Sequence, residues 1–389
     1  AQEIAELLKE HGIRAAMANN EALGVAMVNG SQMLGLRGIA LQKSVGVHVA
    51  ADALALGNLV GAHPDGGAVI VLGDDPWSYS TQVPADSRFL SKHLMMPVLE
   101  PSDAQELKDW INLAFTLSRE SELYIGYLVT TNQGDGGGSV EVFPNQFPAI
   151  NTRNRTTIAT ATIDLERNVL LPPRTWRKEQ NLPERFARLW ASARRHQANK
   201  IIEPSNPAAR PAGLGFITSA AAYCYLQHAL AELGLFGYFP ILKLGITYPL
   251  DPELVTQFAA DKSDVFVVEE RRAFLEEQVV EALNQARQTA APGSPLAALR
   301  LWGKQFPFGL QGIPSTRGLN PSKVMERLGP LFLAWPQLQG VVNTARVEHE
   351  LKLITDLKNI RLEIAPRTPT FCPGCPHRDS SAVLMEIKK

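Results

Sequence analysis

Apolar positions along the chain fall into two alternating patterns. Short continuous runs bounded by glycine, Gly38 to Leu41 and Gly67 to Leu72, read as buried strands, and Leu123 to Thr130 closes that series as a third. The intervening stretches have helical spacing. Ile4 to Lys9 forms one helix, stopping at Gly12, and Glu21 to about Leu34 forms a second, capped by Asn20. Val49 to Val60 forms another, and Ser102 with Asp103, Gln105 and Glu106 opens one that runs to about Ser118. Strands alternating with helices of this length predict a parallel sheet covered on both faces.

The same alternation returns later. Leu214 to Thr218, Phe239 to Leu244 and Val265 to Val268 read as strands, and Ala220 to Leu233, Pro252 to Phe258 and Phe274 to Arg287 as helices. Between the two series, residues 174–210 carry nine Arg or Lys against three Glu, with Phe186, Leu189, Trp190 and Ala193 at helical spacing. No aromatic platform or nucleic-acid motif accompanies the basic stripe, so a solvated connector helix is expected. A stretch rich in Pro and Gly, Pro292 to Pro321, reads as a linker, followed by a helical and extended region and a terminal cysteine motif. The expected division is 1–162, 163–211, 212–291, 292–365 and 366–389.

Composition adds exclusions. With 389 residues, two or three domains are expected, and 45% apolar with 20% charged residues fits a protein with a sizeable core. A net charge of −1 supplies no field to attract nucleic acid or an anionic membrane. The most apolar window, Ala212 to Ala231, is interrupted by Thr218, Ser219, Gln227 and His228, so no membrane span is expected. Three cysteines exclude a disulfide scaffold and favour a reducing compartment, which makes the cytoplasm the expected location.

The sharpest chemical motif is Phe371-Cys372-Pro373-Gly374-Cys375-Pro376-His377-Arg378. A c-type haem site needs histidine directly after the second cysteine, where Pro376 stands, and zinc needs four ligands where at most three are offered. A thioredoxin-type pair would open a helix early in a βαβ unit. Two structural thiols, or half of a [4Fe–4S] ligand set, remain open. Cys224 sits in an apolar helical pattern and is expected to pack in the core. Glu21, alone, is an ordinary favourable charge at a helix start. Beside the turn Lys43-Ser44-Val45-Gly46-Val47 it could instead grip a heteroaromatic ring, the carboxylate bonding a ring nitrogen and main-chain groups meeting the other edge. The polar stretch Gly73 to Gln82 follows a strand, where α/β proteins place ligands. Gly134-Asp135-Gly136 resembles the start of a magnesium-diphosphate motif but lacks its later asparagine, and reads as a surface loop.

These pieces occur together, in order, in one family. Asn20 to Ala26, Gln42 to Asp52, Gly73 to Pro76, Ser80-Thr81-Gln82, Asp86-Ser87-Arg88 and Pro97 to Asp103 resemble the pyrimidine-binding domain of indolepyruvate ferredoxin oxidoreductases. Gly215 to Ser219, Leu242 to Leu250 and Val267 to Glu270 resemble its following domain, and Cys372 to Arg378 the entry to its diphosphate-binding domain. The resemblance implies an α/β fold: a thiamine-diphosphate-binding, pyrimidine-type parallel-sheet domain at 1–162, truncated at its N-terminus, then a transketolase-C-terminal-like α/β domain at 212–291. Residues 366–389 would begin the diphosphate-binding domain.

It further implies a component of an enzyme that oxidatively decarboxylates aryl 2-oxo acids to acyl-CoA with thiamine diphosphate and Mg2+. Electrons would pass through [4Fe–4S] clusters to ferredoxin or another acceptor. Glu21 matches the glutamate that bonds the aminopyrimidine. Lys43, Val45, Gly46, Val47 and His377 fall where the family contacts the cofactor, Asp75, Ser80, Gln82 and Arg88 near the substrate, and Cys372 and Cys375 match two cluster ligands. The implied partners are a smaller oxidoreductase subunit, ferredoxin, coenzyme A and a 2-oxo acid, in a dimer of heterodimers, with neither nucleic acid nor membrane. The family's Pro- and Thr-rich substrate loop, its diphosphate and magnesium motif and its ferredoxin-like cysteines have no counterpart here, and Asn132 stands where the family tends to carry a basic residue. These residues alone are therefore expected to be inactive. A non-catalytic interaction subunit that keeps the fold, and a cluster-binding redox module, are the alternatives.

Overall fold

The computed structural model describes residues 2–79, 81–144, 163–206, 213–291, 293–360 and 376–388. The first α/β region contains helices α1 (Gln2–Glu10), α2 (Glu21–Gln32), α3 (Ser44–Val49), α4 (Ala51–Val60), α5 (Ser87–His93), α6 (Ala104–Ser121) and α7 (Thr131–Gly134). Its strands are β1 (Gly38–Lys43), β2 (Ala68–Asp74), β3 (Val98–Leu99) and β4 (Ile125–Thr130). The basic stretch folds as α8 (Leu165–Asn168), α9 (Arg174–Gln180) and α10 (Leu182–Arg195), then strand β5 (Lys200–Ile202). The second region runs β6 (Leu214–Ser219), α11 (Ala220–Glu232), β7 (Ile241–Leu244), β8 (Ile246–Tyr248), α12 (Pro252–Ala259), β9 (Asp264–Val268) and α13 (Phe274–Thr289). It continues through α14 (Pro295–Ala298), β10 (Arg300–Trp302), α15 (Pro321–Ala334) and α16 (Thr344–Asn359); α17 (Pro376–Ile387) follows.

Two five-stranded sheets result, ordered β1-β2-β4-β3-β8 and β10-β9-β6-β7-β5. Parallel pairing dominates both, and one antiparallel edge strand closes each: β8 against β3 and β5 against β7. The expected fold class is therefore present, with those edges added. On one face of the first sheet, Val25 and Val28 of α2 with Val47, Ala50 and Leu54 bury Ile70 and Leu72. On the other, Ala114 and Leu117 of α6 and Leu182, Leu189 and Ala193 of α10 bury Val69 and Ile125. The apolar stripe of the basic helix is thus core. In the second sheet, α12 and α13 supply Val255, Phe258, Phe274 and Val279 to one face, while Phe216 meets Phe239, Phe266 and Phe332 on the other.

Several elements depart from the sequence expectations. Lys43 to Val47 is not a turn: Lys43, in an extended conformation, precedes helix α3, and the Ala50 amide donates to Gly46 O. The start of α6 is capped by Asp103, which accepts from the Glu106 amide at 2.8 Å, while Glu106 accepts from the Ser102 amide at 2.9 Å. The Pro- and Gly-rich stretch after α13 carries β10, which pairs with β9, and leads into α15. Chain contacts divide the molecule into residues 1–351, which hold both sheets, and residues 352–389. The described part of the second unit is the end of α16 and α17. Among the described residues, no helix is long and apolar enough to cross a membrane.

Candidate active site

In parallel sheets, ligands gather beyond the carboxyl ends of the strands. At that edge of the first sheet stand Lys43 and Ser44 at the end of β1, Asp74 and Asp75 at the end of β2, and Thr130 and Thr131 at the end of β4. Glu21 is brought to the same region. It is the first residue of α2, half-buried, and Asn20 Oδ1 fixes the helix start by accepting from the Leu23 amide at 2.8 Å. Gly46 lies against its side chain: an added Cβ would sit 2.5 Å from Glu21 Cγ and 2.6 Å from Glu21 Oε1. Glycine is required here for close approach. Two buried polar atoms close in sequence to Gly46, Ser44 Oγ and Gln42 Nε2, have no hydrogen-bond partner among the described residues. Buried polar atoms ordinarily have partners, so a polar ligand seated here would satisfy an existing demand.

The other expected cofactor residues divide by exposure. Val47 packs its side chain into the core, leaving only its main chain to face a ligand, whereas Lys43 and Val45 are exposed. His377 lies in α17, with its side chain outside the described residues; Ser80, Cys372 and Cys375 are also outside them. Cys224 is a half-buried free thiol 3.5 Å from Ser102 O, and burial raises its pKa. Among the described residues no three His, Cys, Asp or Glu side chains converge as a metal set.

The loop after β2 is organised by Asp75, which is buried. Its carboxylate accepts from the Tyr79 amide at 3.0 Å, the Thr81 amide at 3.1 Å and Thr131 Oγ1 at 3.3 Å. Gln82 is exposed on that loop. Arg88 is 5% exposed, and its guanidinium grips Asp86 through two bonds of 2.9 and 2.8 Å. It also donates to Glu270 O at 2.9 Å and lies 3.6 Å from Glu269. It thereby ties the first sheet to the end of β9.

Sequence reasoning assigned no role to the carboxyls around Arg88, although their motifs stood in the resemblance. A narrow cavity lies at the junction of the two sheets, and Asp74, Glu100, Thr130, Ala220, Glu270 and Arg271 contribute to its wall. Burial pushes Asp74 up to about 6 against two hydrogen bonds from Ser87, the hydroxyl one at 2.5 Å. Burial likewise pushes Glu100 up to about 7, although Arg88 is near and Thr247 Oγ1 donates to it at 2.6 Å. Burial pulls Asp86 upward too, but the Arg88 guanidinium outweighs it and holds the carboxyl below the usual range. Ala220, at the bend from β6 into α11, has φ +48°, a strained value for a residue with a side chain. The available signal was positional: acidic residues ending apolar strands, as in Leu72-Gly73-Asp74 and Val267-Val268-Glu269.

A family model described as the indolepyruvate oxidoreductase domain matches residues 206–334. An indolepyruvate oxidoreductase subunit IorA from Methanothermobacter thermautotrophicus is 28% identical over 96% of this chain and 53% of its own length. The subunit of the same name from Thermococcus kodakarensis is 27% identical over 97% of this chain and 53% of its own. The chain thus spans about half the length of the curated relatives it matches. Among solved structures, a 2-oxoglutarate:ferredoxin oxidoreductase from Magnetococcus marinus superposes with a TM-score of 0.50 at 16% identity, covering 68% of this chain and 51% of that one. That likeness is one of fold.

Proposed function

We propose that this chain is part of an indolepyruvate oxidoreductase large subunit, to which it is similar, and that it supplies the pyrimidine-binding side of a thiamine-diphosphate-dependent 2-oxoacid:ferredoxin oxidoreductase. The proposed reaction is oxidative decarboxylation of aryl 2-oxo acids such as indolepyruvate to acyl-CoA. The observation that carries this reading is Glu21 at the start of α2, pressed against Gly46, with the orphaned Ser44 hydroxyl close to that glycine in sequence. A carboxylate and a side-chain-free backbone facing one space fit the polar edges of an aminopyrimidine. Glu21 would hold the proton shared with a ring nitrogen, and the main chain of Val45, Gly46 and Val47 would meet the opposite edge, with Lys43 near it. Thiamine diphosphate, when bound, supplies the carbon nucleophile needed to cleave the bond to a 2-oxo acid's carboxylate. The loop held by Asp75, with Ser80 and Gln82, would border the substrate, and Arg88 would keep that loop's base in place through Asp86.

A smaller subunit completes the assembly as a dimer of heterodimers, His377 approaches the cofactor, and Mg2+ accompanies the diphosphate, held by residues outside those described. Cys372 and Cys375 would bind one edge of a [4Fe–4S] cluster on the route to ferredoxin, with coenzyme A taking the acyl group.

Two measurements test the reading in the complete enzyme. Glu21→Gln is expected to retain thiamine diphosphate while losing roughly 10²- to 10⁴-fold in indolepyruvate oxidation with a viologen acceptor. Unchanged turnover rejects Glu21 as the pyrimidine partner. The Cys372→Ser, Cys375→Ser double variant is expected to lose one cluster's worth of iron, since serine oxygen substitutes poorly for thiolate on iron. Full iron content in folded protein rejects the cluster assignment.

A further inference from the structure

The cations of the basic stretch converge on one place. Arg185 is 5% exposed and donates to Asn58 O at 2.8 Å, Leu59 O at 3.2 Å and also Glu122 O. Lys178 Nζ donates to Val60 O at 2.9 Å. These carbonyls end α4 and α6, where helix dipoles present partial negative charge. Carbonyls alone leave the formal charges uncompensated. Arg188 takes the nearby carboxylates, at 2.9 Å to Glu184 and 3.4 Å to Glu122, and Arg167 lies 3.9 Å from Glu122. Buried Arg185 Nε and Arg188 Nε have no partner among the described residues.

A cavity of about 240 Å³ opens on this cluster, lined by Lys178, Arg185 and Arg188 with Asn181, Val60 and the two glutamates. Crowding of like charge is evident: burial, then Arg185 and Arg167, press the Lys178 amine downward. Burial is also the main cause lowering Arg185 to about 10, with Glu122 opposing and Arg188 assisting.

We propose that this cavity binds a phosphorylated small molecule by its phosphoryl group. A phosphoryl dianion accepts from several donors at once; the lining offers an ammonium, two guanidinium groups and an amide, and its three cations outnumber the carboxylates of Glu122 and Glu184. The volume leaves room beyond the phosphoryl oxygens for the esterified portion. Helix capping accounts for the carbonyl contacts but not for the cavity. The site is separate from Glu21. Residues 60–62 and Glu122 precede β2 and β4, at the amino edge of the first sheet, whereas Glu21 and Gly46 stand at its carboxyl edge. With β2 seven residues long, the two edges are about 20 Å apart.

The test is calorimetric titration of the full chain with inorganic phosphate and with glycerol 3-phosphate, at ionic strength matched by chloride, backed by thermal shift. Saturable binding is expected, with the ester at least as tight as inorganic phosphate. Lys178→Gln with Arg188→Gln should weaken it at least tenfold. Because those changes remove capping or ion-pair contacts, Asn181→Asp is the second variant. It places a carboxylate on the lining at an exposed position whose side chain makes no capping bond, and should also weaken binding at least tenfold without loss of thermal stability. Glu21→Gln should bind both ligands as wild type does. Absence of saturable binding overturns the proposal, as does binding left intact in Asn181→Asp or exclusion of the ester while phosphate binds.

Discussion

At the scale of single residues, the contact between Glu21 and Gly46 makes a sharp demand. A methyl group at position 46 would overlap Glu21 Cγ and Oε1, the movable end of a half-buried side chain. Gly46→Ala should therefore fold, since the glutamate can swing away, yet displace the carboxylate from its place. At least tenfold weaker thiamine diphosphate binding by the complete enzyme, with thermal stability within a few degrees of wild type, is the expected result of titration. Equal affinity would make the glycine a packing feature only. Glu100 makes a different demand. Its folded pKa, raised by burial to about 7, lies above the unfolded value of about 4.3. The folded state then binds the extra proton, so this group's contribution is fully present below about pH 4 and is lost as pH rises through about 7. Asp74, raised to about 6, adds a slope of the same sign. Glu100→Gln is expected to flatten the fall in urea midpoint between pH 5 and pH 8, and an identical slope in the variant would refute the assignment.

At the scale of elements, what was legible followed from what was local. The Asn20 cap, the glycine-bounded runs and the helix periods depend on residues a few positions apart, and α2, β1, β2, α6, α11 and α13 stand close to where the pattern put them. Glu21 and the residues after β1 were readable together because the family resemblance joined them; spacing alone gave an ordinary helix start. The β7–β8 passage was not readable. Phe239 to Leu244 read as a strand with none after it before Pro252, yet beyond Gly245 the chain forms β8, which joins the other sheet. A Cβ at 245 would meet Ala198 O at 2.4 Å and the Trp110 ring at 2.6 Å. Asn199 Oδ1 accepts from the amides of Gly245 and Ile246, both at 2.9 Å, and Gly245 O accepts from the Glu100 amide at 2.8 Å. Every one of those partners is distant in sequence. The basic stripe was misleading in a related way: its charges read as solvated, but Arg185 and Lys178 are drawn to helix C-termini formed more than a hundred residues earlier.

For the molecule as a whole, the two sheets within residues 1–351 are joined by buried charge as much as by apolar packing. Arg88 binds Asp86 beside it and reaches Glu270 O and Glu269, some 180 positions further along. Glu269 in turn accepts from the amides of Phe274 at 3.1 Å and Leu275 at 2.9 Å, which fixes the start of α13. Arg271 returns the connection, donating to Ala85 O and Pro84 O, both at 2.7 Å, and so holds the chain just ahead of Arg88. The loop bordering the proposed substrate region thus hangs between the sheets, and neither sheet can shift without breaking ion pairs in a dry environment. Removing one member of such a network leaves the others buried without compensation, a loss of about 3–5 kcal/mol. Arg88→Met should lower stability by that amount, because Asp86 and Glu269 lose their shared cation while the methionine fills much of the space. Chemical denaturation followed by near-ultraviolet circular dichroism and by tryptophan fluorescence tests the coupling. The wild type should give one coincident transition, with Trp110 and Trp190 on the first sheet's side and Trp302 and Trp335 on the second's. The variant, with its bridge weakened, should unfold earlier and separate the two probes. A variant as stable as wild type would mean that apolar packing alone couples the sheets.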